Sequence, residues 1–449
     1  MTQLAVFTRD LRIHDNPVLA AAGTQAVPLF VDPGTQAASS VSANQTAYLY
    51  ESLASLDRSL SQVGSSLVFR TGDWVTEIAR VADQAGATKV HVAADPTGVN
   101  RSDVDVMQQR LRVPVEVHQS RTVVEPGSIS PGSADFYQRF SPYFDRWLTA
   151  PRRTQARTPV HLKPHDLQSN PIPPIPTEGT SPLRALGGED IARDRFGDWL
   201  PHAVAYDLSR NQLATDGTSR ISVALHFGEL SALEVAEAAE EVGATEFARQ
   251  IAWRDFNYQL LFHNPRLVSE GLRPQRMPNL PDGARLQAWR DGITGYPVVD
   301  AGMRQLRATG WMHNRARMLT ASFLTKHLRQ DWRAGADWFL TWLTDGDIAN
   351  NQLGWQWVAG IGVDTNPWRM FNPTLQSHKY DPDGGYIRAW IDELSEVDDS
   401  EIHDPSADTR RRTGYPLKLV NHASAVARFK SDRNGPTHDF EASAPLDED

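Results

Sequence analysis

Short apolar runs alternate with amphipathic helical patterns over the first 125 residues. The apolar runs are LAVFT from position 4, AVPLFVD from 26, SLVFR from 66, KVHVAAD from 89 and VPVEVH from 113. Helical periodicity fills the intervals, as between Ala47 and Val63 and between Trp74 and Ala85. Strands that alternate with helices build a parallel sheet covered on both faces. Residues 1–125 are therefore predicted to form a Rossmann-like α/β domain, without the GxGxxG turn that would support NAD binding.

A proline-rich stretch separates this domain from a second one. Residues 126–189 include HLKPHDLQSNPIPPIPTEGTSP, which has little periodicity, and we predict an interdomain linker there. Beyond it the pattern is helical almost throughout, for example over Ala232–Glu241, Glu246–Phe262 and Asn314–Leu328. Residues 190–430 are therefore predicted to be an all-α domain, so the fold class is α/β followed by all-α.

The net charge of -10 is unevenly distributed along the chain. Residues 391–409 hold eight acidic residues and no Lys or Arg, and residues 431–449 hold six acidic residues against one Arg. These two segments together carry -13, which leaves +3 on the rest of the chain. A mildly basic body is compatible with a nucleic-acid partner, and residues 431–449 are predicted to be a flexible acidic tail.

The absence of cysteine narrows the possible chemistry. It excludes disulfides, thiolate zinc sites, thiol nucleophiles and cysteine-bound iron–sulfur clusters. No metal site is predicted. No signal peptide and no apolar run of about 18 residues is visible, so we expect a cytoplasmic protein with no membrane association. Ten of the 13 Trp residues lie between Trp253 and Trp390, inside the predicted helical domain.

Two long motifs in the helical domain resemble signatures of a known family. They are TGYPVVDAGMRQL from Thr294 and NRARMLTASFLTKHL from Asn314, the second followed by Trp332 and Arg333. The N-terminal FTRDLRIHDNP and the GTSRIS at position 217 add to the likeness. Over roughly residues 4–425 the chain resembles the photolyase/cryptochrome family, and it is most similar to class I cyclobutane pyrimidine dimer DNA photolyases.

The resemblance implies an FAD site in the helical domain. In the family, light excites the fully reduced flavin, which gives an electron to a pyrimidine dimer in DNA and recovers it when the dimer has split. Hydroxyl, amide and Arg donors suit a flavin pyrophosphate, and an amide facing flavin N5 can accept or donate. The implied FAD-binding residues are Tyr206, Thr218, Ser219, Arg220, Ile221, Ser222, Arg317, Asp345, Gly346, Asp347 and Asn351, with an ion pair expected between Arg317 and Asp345.

Local structure alone would explain two of these motifs differently. A TSRIS sequence is commonly a helix N-cap, and a DGD sequence commonly caps a turn. Their register with the two long motifs favours the flavin interpretation.

Electron transfer and lesion chemistry are implied for a second set of residues. Trp355 and Trp332 match the first two members of the family's electron-hopping chain, whereas Asn279 stands at the third position and Trp338 or Trp342 could provide another exit. The residues implied in catalysis are Trp355, Trp332, Asn351, Gln250, Asn314 and Met318. Trp289 and Trp390 are predicted to be packing residues.

A third set is implied in binding UV-damaged DNA. Base flipping is established for photolyases as a class, with aromatic faces against the extruded bases and Arg side chains on the phosphates. The implied DNA-binding residues are Arg210, Gln250, Trp253, Asn314, Arg315, Trp357, Arg369 and Gln376. Five Arg residues between positions 139 and 157 either extend this basic rim or form a solvated helix face.

The lesion remains open between two branches of the family. Many cyclobutane dimer enzymes carry Glu where this chain has Gln250, and the (6-4) branch has Gln there. The (6-4) branch also has a catalytic His where this chain has Asn314, and an amide cannot supply the proton that His gives. We therefore favour repair of cyclobutane dimers. The alternatives are (6-4) repair, a cryptochrome-type photosensor and a non-enzymatic DNA-binding protein.

A second chromophore is expected in the N-terminal domain. Family members carry 8-hydroxy-5-deazaflavin, methenyltetrahydrofolate or a second flavin there, and Asp95 and Arg101 are candidate contacts. Since no heptad repeat or long exposed apolar helix is visible, we expect a monomer without an obligate protein partner.

Overall fold

The computed structural model describes residues 1–34, 42–97, 101–275, 279–280 and 282–434 of the 449-residue chain. The acidic tail predicted over residues 431–449 lies outside the described residues from position 435 onward. None of the described helices combines the length and the low charge needed to span a bilayer.

The N-terminal domain is a five-stranded parallel sheet in the order β3-β2-β1-β4-β5. The strand order reverses between β1 and β4, because β2 and β3 follow on one side of β1 while β4 and β5 follow on the other. Ligands of open α/β sheets bind beyond the carboxyl ends of the strands at such a point. The strands are β1 (Gln3–Phe7), β2 (Ala26–Asp32), β3 (Val68–Thr71), β4 (Val90–Ala93) and β5 (Val115–His118). The helices are α1 (Pro17–Ala22), α2 (Ala43–Gln62), α3 (Trp74–Ala85) and α4 (Arg101–Arg110).

Both faces of the sheet are buried, as the continuous apolar runs require. On β1, Leu4 and Val6 join a core with α3, whereas Ala5 and Phe7 join the core under α1 and α2. Polar side chains begin the helices: Asn16 caps α1, Ser42 caps α2 and Asp73 caps α3. The predicted Rossmann-like unit is confirmed.

The remainder of the described chain is helical. Its helices are α5 (Phe140–Thr149), α6 (Glu189–Trp199), α7 (Tyr206–Ser209), α8 (Ser222–Phe227), α9 (Ala232–Glu241), α10 (Thr245–His263), α11 (Gly283–Asp291), α12 (Pro297–Thr309), α13 (Asn314–Ser322), α14 (Trp332–Trp342), α15 (Ile348–Ala359), α16 (Pro373–Tyr380), α17 (Gly385–Trp390), α18 (Ala407–Thr413) and α19 (His422–Asn434). The helix predicted over Asn314–Leu328 is divided, because a π-helical turn at Phe323–His327 follows α13.

One part of the predicted linker belongs to the helical core. Helix α5 lies inside residues 126–189, and its side chains Phe140, Tyr143 and Trp147 are buried with those of α10. The Trp147 indole donates to the Asp255 carboxylate over 3.0 Å. Proline and glycine content locates the irregular stretch that follows, but it did not reveal this helix.

Buried polar contacts hold the two domains together around the start of the chain. The Arg12 guanidinium donates to the Gly228 carbonyl over 2.8 Å, and the Glu189 carboxylate accepts from the backbone of Ile13 over 2.8 Å. Gly228 has a φ of 73°, and a Cβ on it would lie 2.0 Å from the carbonyl oxygen of Arg9. The segment after β1 is thus pressed directly against the helical domain, which places the carboxyl end of the sheet beside the candidate site.

Candidate active site

Helix α15 is the centre of the candidate site. It packs against α10, α13 and α14, and α10 in turn packs against α7. This arrangement brings together residues that are widely separated in sequence. The implied residues carried by these helices are Tyr206 on α7, Gln250 and Trp253 on α10, Asn314, Arg315, Arg317 and Met318 on α13, Trp332 on α14, and Asn351, Trp355 and Trp357 on α15.

Asp347 begins α15 and also ties it to α10. Its carboxylate accepts from the backbone N–H of Asn350 over 2.9 Å, so it caps a helix, whereas the local interpretation of DGD predicted the cap of a turn. The same carboxylate accepts from the Tyr258 hydroxyl over 2.6 Å, and Asn257 donates to the Asn350 amide oxygen over 2.9 Å. Asp347 therefore caps a helix and connects two helices of the site.

The neutral His226 and the cationic Arg9 and Arg254 lie near Asp347. Burial lowers the pKa of His226 to about 4, and the Arg9 guanidinium donates to its Nε2. The proton of the neutral imidazole consequently lies on Nδ1, which is 3.7 Å from the Asp347 carboxylate. Burial alone would raise the pKa of Asp347, but His226, Arg254 and the Tyr258 hydroxyl hold it well below its usual range. Asp347 is therefore an ionised acceptor.

The expected ion pair between Arg317 and Asp345 is present. Nη2 of Arg317 lies 2.8 and 3.0 Å from the two carboxylate oxygens, and its Nε donates to the Met312 carbonyl over 2.8 Å. The Asp345 side chain is 3% exposed and that of Arg317 is 24% exposed. The guanidinium plane is thereby held in one orientation with an accessible surface, as a planar ring partner requires.

The segment next to Asp345 is held from the N-terminal domain. A Cβ on Gly346 would lie 2.5 Å from Nε2 of Gln45, whose amide donates to the carbonyls of Leu343 and Gly346 over 3.1 and 3.3 Å. Gln45 is 6% exposed. Sequence reasoning assigned no role to Gln45 here, and its position at the polar start of an amphipathic helix gave no signal.

The Asn351 amide is fixed by its neighbours. Its Nδ2 donates to the Ala336 carbonyl over 3.1 Å and to the Gln352 amide oxygen over 2.9 Å. Both hydrogen bonds are donated by the nitrogen, which leaves Oδ1 to accept a hydrogen bond from a ligand. This polarity suits a partner that carries an N–H.

The TSRIS segment forms the loop before α8. Ile221 is the N-cap residue and no side chain caps the helix, so the capping interpretation of this motif is wrong. Ser222 is exposed, Thr218 is half-buried, and Arg220 adopts a φ of 53° and pairs with Asp216 over 2.6 Å. Among the described residues, the hydroxyls of Thr218 and Ser222 and the two Nη atoms of Arg220 therefore remain for a ligand. Ser219 and Ile221 are buried and contribute backbone and packing.

Tyr206 lies beside this loop in an aromatic cluster. Its ring meets Trp199 edge-on at 5.9 Å and Phe247 at 5.5 Å between centroids. Burial raises the pKa of Tyr206 to about 12, so its hydroxyl keeps its proton and can donate.

The tryptophans implied in electron transfer are buried, and their indole nitrogens have no hydrogen-bond partner within the described residues. Trp355 meets Trp289 at 6.1 Å and Phe339 at 4.9 Å between centroids. Trp332 lines a surface cavity of about 280 Å³ that includes Arg273. The contact with Trp355 makes Trp289, predicted to be a packing residue, an additional candidate for the electron path. Trp338 and Trp342 lie 6.0 Å apart as a second pair.

The implied DNA-binding residues form aromatic and cationic contacts around the same helices. Trp253 stacks on Phe140 with 3.7 Å between centroids, so α5 supports this ring. The Arg369 guanidinium lies 5.5 Å from the Trp357 ring. Within the part of the chain that the structure describes, Gln250 donates only to the Glu246 carbonyl of its own helix, over 3.3 Å.

The other members of that set are placed by polar contacts. Arg315 donates to Asn211 over 2.6 Å, and Arg210 pairs with Glu246 over 3.3 Å. Asn314 is exposed and lies 3.8 Å from the Met318 sulfur. Gln376 lies on α16, half-buried.

Two of the five arginines between positions 139 and 157 form ion pairs with acidic residues of the protein. Arg152 makes a two-bond ion pair with Glu240 at 2.8 Å, and Arg153 pairs with the nearly buried Asp15. These two side chains are therefore structural rather than part of a free basic rim.

A second cavity, of about 450 Å³, opens between the domains. Arg9 and Gln45 line it from the N-terminal side, and the helical side includes Gly346, Ile348 and Gln352. Asp95 accepts from the backbone and hydroxyl of Thr97, and the side chain of Arg101 lies outside the described residues.

The donor set fits FAD. Hydroxyls, a guanidinium and a protonated Tyr suit the pyrophosphate and ribityl groups, while an ion pair, an ionised Asp and an oriented amide match the mixed donors and acceptors of a flavin ring.

Sequence comparison then identifies the chain. Residues 4–164 match the family described as DNA photolyase, and residues 247–434 match the FAD binding domain of DNA photolyase. A deoxyribodipyrimidine photo-lyase of Streptomyces griseus is 44% identical over 96% of this chain and 98% of its own. The chain belongs to the DNA photolyase family.

Solved photolyase structures share the fold of this family member. A bacterial class III photolyase from Agrobacterium tumefaciens has a TM-score of 0.89 at 32% identity, covering 96% of this chain and 97% of its own. An archaeal photolyase from Sulfolobus tokodaii, with two FAD molecules, has a TM-score of 0.83 at 28% identity, covering 97% and 100%. The predicted fold class, a Rossmann-like domain followed by a helical FAD-binding domain, is confirmed.

Proposed function

We propose that this DNA photolyase family member is a deoxyribodipyrimidine photolyase, a carbon–carbon lyase that repairs cyclobutane pyrimidine dimers in UV-damaged DNA under blue light. The observation that carries the proposal is the assembly around α15. The Arg317–Asp345 ion pair and Asn351 supply contacts for a flavin ring, and Trp253 and Trp357, on α10 and α15, supply aromatic surfaces for extruded bases.

FAD would be held by residues from both sides of α15. Thr218, Ser222 and Arg220 would bind the pyrophosphate, with Tyr206 beside them. The isoalloxazine ring would lie against Arg317 and Asp345, with Gly346 and Asp347 at its polar edge and Oδ1 of Asn351 accepting from N5. Bound FAD would supply, in its reduced form, the electron that light transfers to the dimer and that returns after both C–C bonds between the pyrimidines are broken.

The chain's own residues bind and orient the substrate. Trp253, supported by Phe140, and Trp357 would stack against the extruded bases, and such stacking contributes about 1–3 kcal/mol per base. Arg210, Arg315 and Arg369 would hold the neighbouring phosphates. Gln250 would donate from its amide to a thymine carbonyl, and Asn314 and Met318 would complete the wall of the dimer site.

Trp355 and Trp332 would carry electrons between the flavin and the surface. Both indoles are buried, and Trp332 lines a cavity at the protein surface. The cavity between the domains, at the switch point of the sheet, would hold a second chromophore, an 8-hydroxy-5-deazaflavin, a methenyltetrahydrofolate or a second flavin. We also propose that the protein acts on DNA as a monomer, in the cytoplasm.

A light-dependence assay tests the proposal. Purified, chemically reduced protein is incubated with an oligonucleotide that contains one cyclobutane thymine dimer, and recovery of thymine absorbance is followed in blue light and in darkness. We expect recovery only in light, and its loss in Trp253→Ala. If flavin-loaded protein repairs a (6-4) oligonucleotide instead, the lesion assignment is wrong. If it repairs neither, the photosensor alternative replaces the enzyme.

A further inference from the structure

Three potential metal ligands lie on one face of the sheet, away from the flavin residues. They are His91 on β4 and Glu116 and His118 on β5. The strands are parallel, and His91 is aligned with Glu116 while His118 follows two residues later. Side chains at alternate positions point to the same face, so the three side chains share that face. Among the described residues, their ligand atoms all lie within 4.8 Å of one another.

The distances suit a small cation. Nδ1 of His91 lies 2.9 Å from Nε2 of His118, and the Glu116 carboxylate lies 4.0 Å from the first nitrogen and 3.9 Å from the second. Two metal–nitrogen bonds of about 2.05 Å span about 2.9 Å at a right angle and about 3.3 Å at a tetrahedral angle. The imidazoles thus need little movement. The Glu116 carboxylate, 48% exposed, can rotate inward.

A neighbouring side chain fixes the tautomer of His91. Nε2 of His91 lies 2.5 Å from the Gln3 amide oxygen, which can only accept a hydrogen bond. The proton therefore lies on Nε2, and the lone pair of Nδ1 faces His118. A hydrogen bond of this kind behind a ligating His orients the ring and supports metal binding.

The solvent exposure of the three side chains increases from His91 to His118 to Glu116, as in a metal site that is open to water on one side. The His91 side chain is 2% exposed, that of His118 is 14% exposed, and Glu116 reaches solvent. Water can fill the remaining coordination positions. Lys89 is the competing charge, because its ammonium lies 2.8 Å from the Glu116 carboxylate.

We propose that His91, His118 and Glu116 bind one divalent transition-metal ion of the zinc class, which joins the edge strand β5 to β4. Two imidazoles and a carboxylate favour Zn²⁺ or a related first-row ion over Mg²⁺ or Ca²⁺, which prefer all-oxygen ligands. Glu116 would exchange its Lys89 contact for the metal. The sequence signal of this site is only a His on one strand and Glu-x-His on the next.

Zinc titration of the untagged, chelator-treated protein by calorimetry tests the proposal, with Co²⁺ absorption as a second readout. We expect one equivalent bound at micromolar concentration, lost in His118→Ala, and about tenfold weaker in Gln3→Ala. Lys89→Gln should bind more tightly, because the competing ammonium is gone. Glu116→Gln, whose side chain is half exposed, replaces His118→Ala if that variant does not fold.

His422→Ala is the matched control. His327 and His422 form another pair of imidazoles, 3.0 Å apart, and no carboxylate joins them in a three-ligand group within the described residues. This variant should keep the equivalent that His118→Ala loses. Equal zinc binding in wild type and His118→Ala, or no saturable binding below millimolar zinc, would overturn the proposal and leave a simple histidine–histidine hydrogen bond.

Discussion

Gln45 in the first domain holds the backbone of Gly346 in the second. The amide nitrogen of Gln45 donates to the Gly346 carbonyl over 3.3 Å and to the Leu343 carbonyl over 3.1 Å. Gly346 lies between the two aspartates of the flavin segment, and it has no room for a Cβ against this amide. The N-terminal domain thus shapes the proposed cofactor site directly.

Gln45→Ala should loosen the flavin segment. The substitution removes the Gln45 donor from the Gly346 carbonyl, whereas the Leu343 carbonyl still accepts from the backbone N–H of Gly346 over 3.3 Å. Leaving a buried polar group unpaired costs about 1–3 kcal/mol. We expect less FAD to be retained through purification and a lower denaturation midpoint, measured from flavin absorbance and circular dichroism. Gln62→Ala, at the exposed end of the same helix, is the control and should behave like wild type. Full flavin retention in Gln45→Ala would show that Gln45 does not support FAD binding.

Gln250→Leu should slow dimer repair. Among the described residues, the Gln250 amide donates only to the carbonyl of Glu246 on its own helix, over 3.3 Å, so it is available to the dimer. One hydrogen bond of about 0.5–1.5 kcal/mol corresponds to a two- to tenfold loss in repair rate. Gln250→Glu should retain repair of the cyclobutane dimer. Repair rates of reduced protein under continuous light give the comparison, and an unchanged rate in Gln250→Leu contradicts the assignment.

Trp332→Phe should block photoreduction of oxidised flavin and leave repair by chemically reduced protein unchanged. The test follows loss of oxidised-flavin absorbance under blue light with an added reductant. The electron can leave Trp355 through Trp332 or through Trp289, whose ring contacts that of Trp355. Trp289→Phe distinguishes these two paths. If Trp289→Phe fails to photoreduce and Trp332→Phe succeeds, the path runs through Trp289. Asn279→Trp should accelerate photoreduction if the third position of the chain is limiting.

Glu229 should make the protein less stable as the pH rises. Burial raises its pKa from 4.5 to about 7, although Tyr48, Ser52 and the backbone of Gly188 all donate to it. A carboxyl whose folded pKa lies above its unfolded value contributes stability below pH 4.5, and this contribution is lost as pH rises through 7. The full difference is on the order of 3 kcal/mol.

Denaturant unfolding of wild type and Glu229→Gln at pH 5 and pH 8 measures this effect. The variant cannot titrate, so its stability relative to wild type should improve at the higher pH. Glu241→Gln, an exposed glutamate at the end of α9, should show no such change. A stability difference between wild type and Glu229→Gln that is independent of pH would contradict the raised pKa.

Local patterns located most elements of the fold. The AVPLFVD run is β2, and the periodic segments Trp74–Ala85 and Ala232–Glu241 are α3 and α9 with the predicted bounds. The family motifs also anticipated the pairing of Arg317 with Asp345. The individual functions of the site residues stay predictions until the variants above are measured.

The sequence by itself determined most of the strands and helices and the residue types available for flavin and DNA, because periodicity and capping act over a few neighbouring positions. Only the tertiary structure placed Phe140 beneath Trp253, Trp289 against Trp355, and Gln45 on Gly346. Each of these pairs joins distant parts of the chain, and such contacts depend on how whole elements pack. No local preference of either residue encodes its partner.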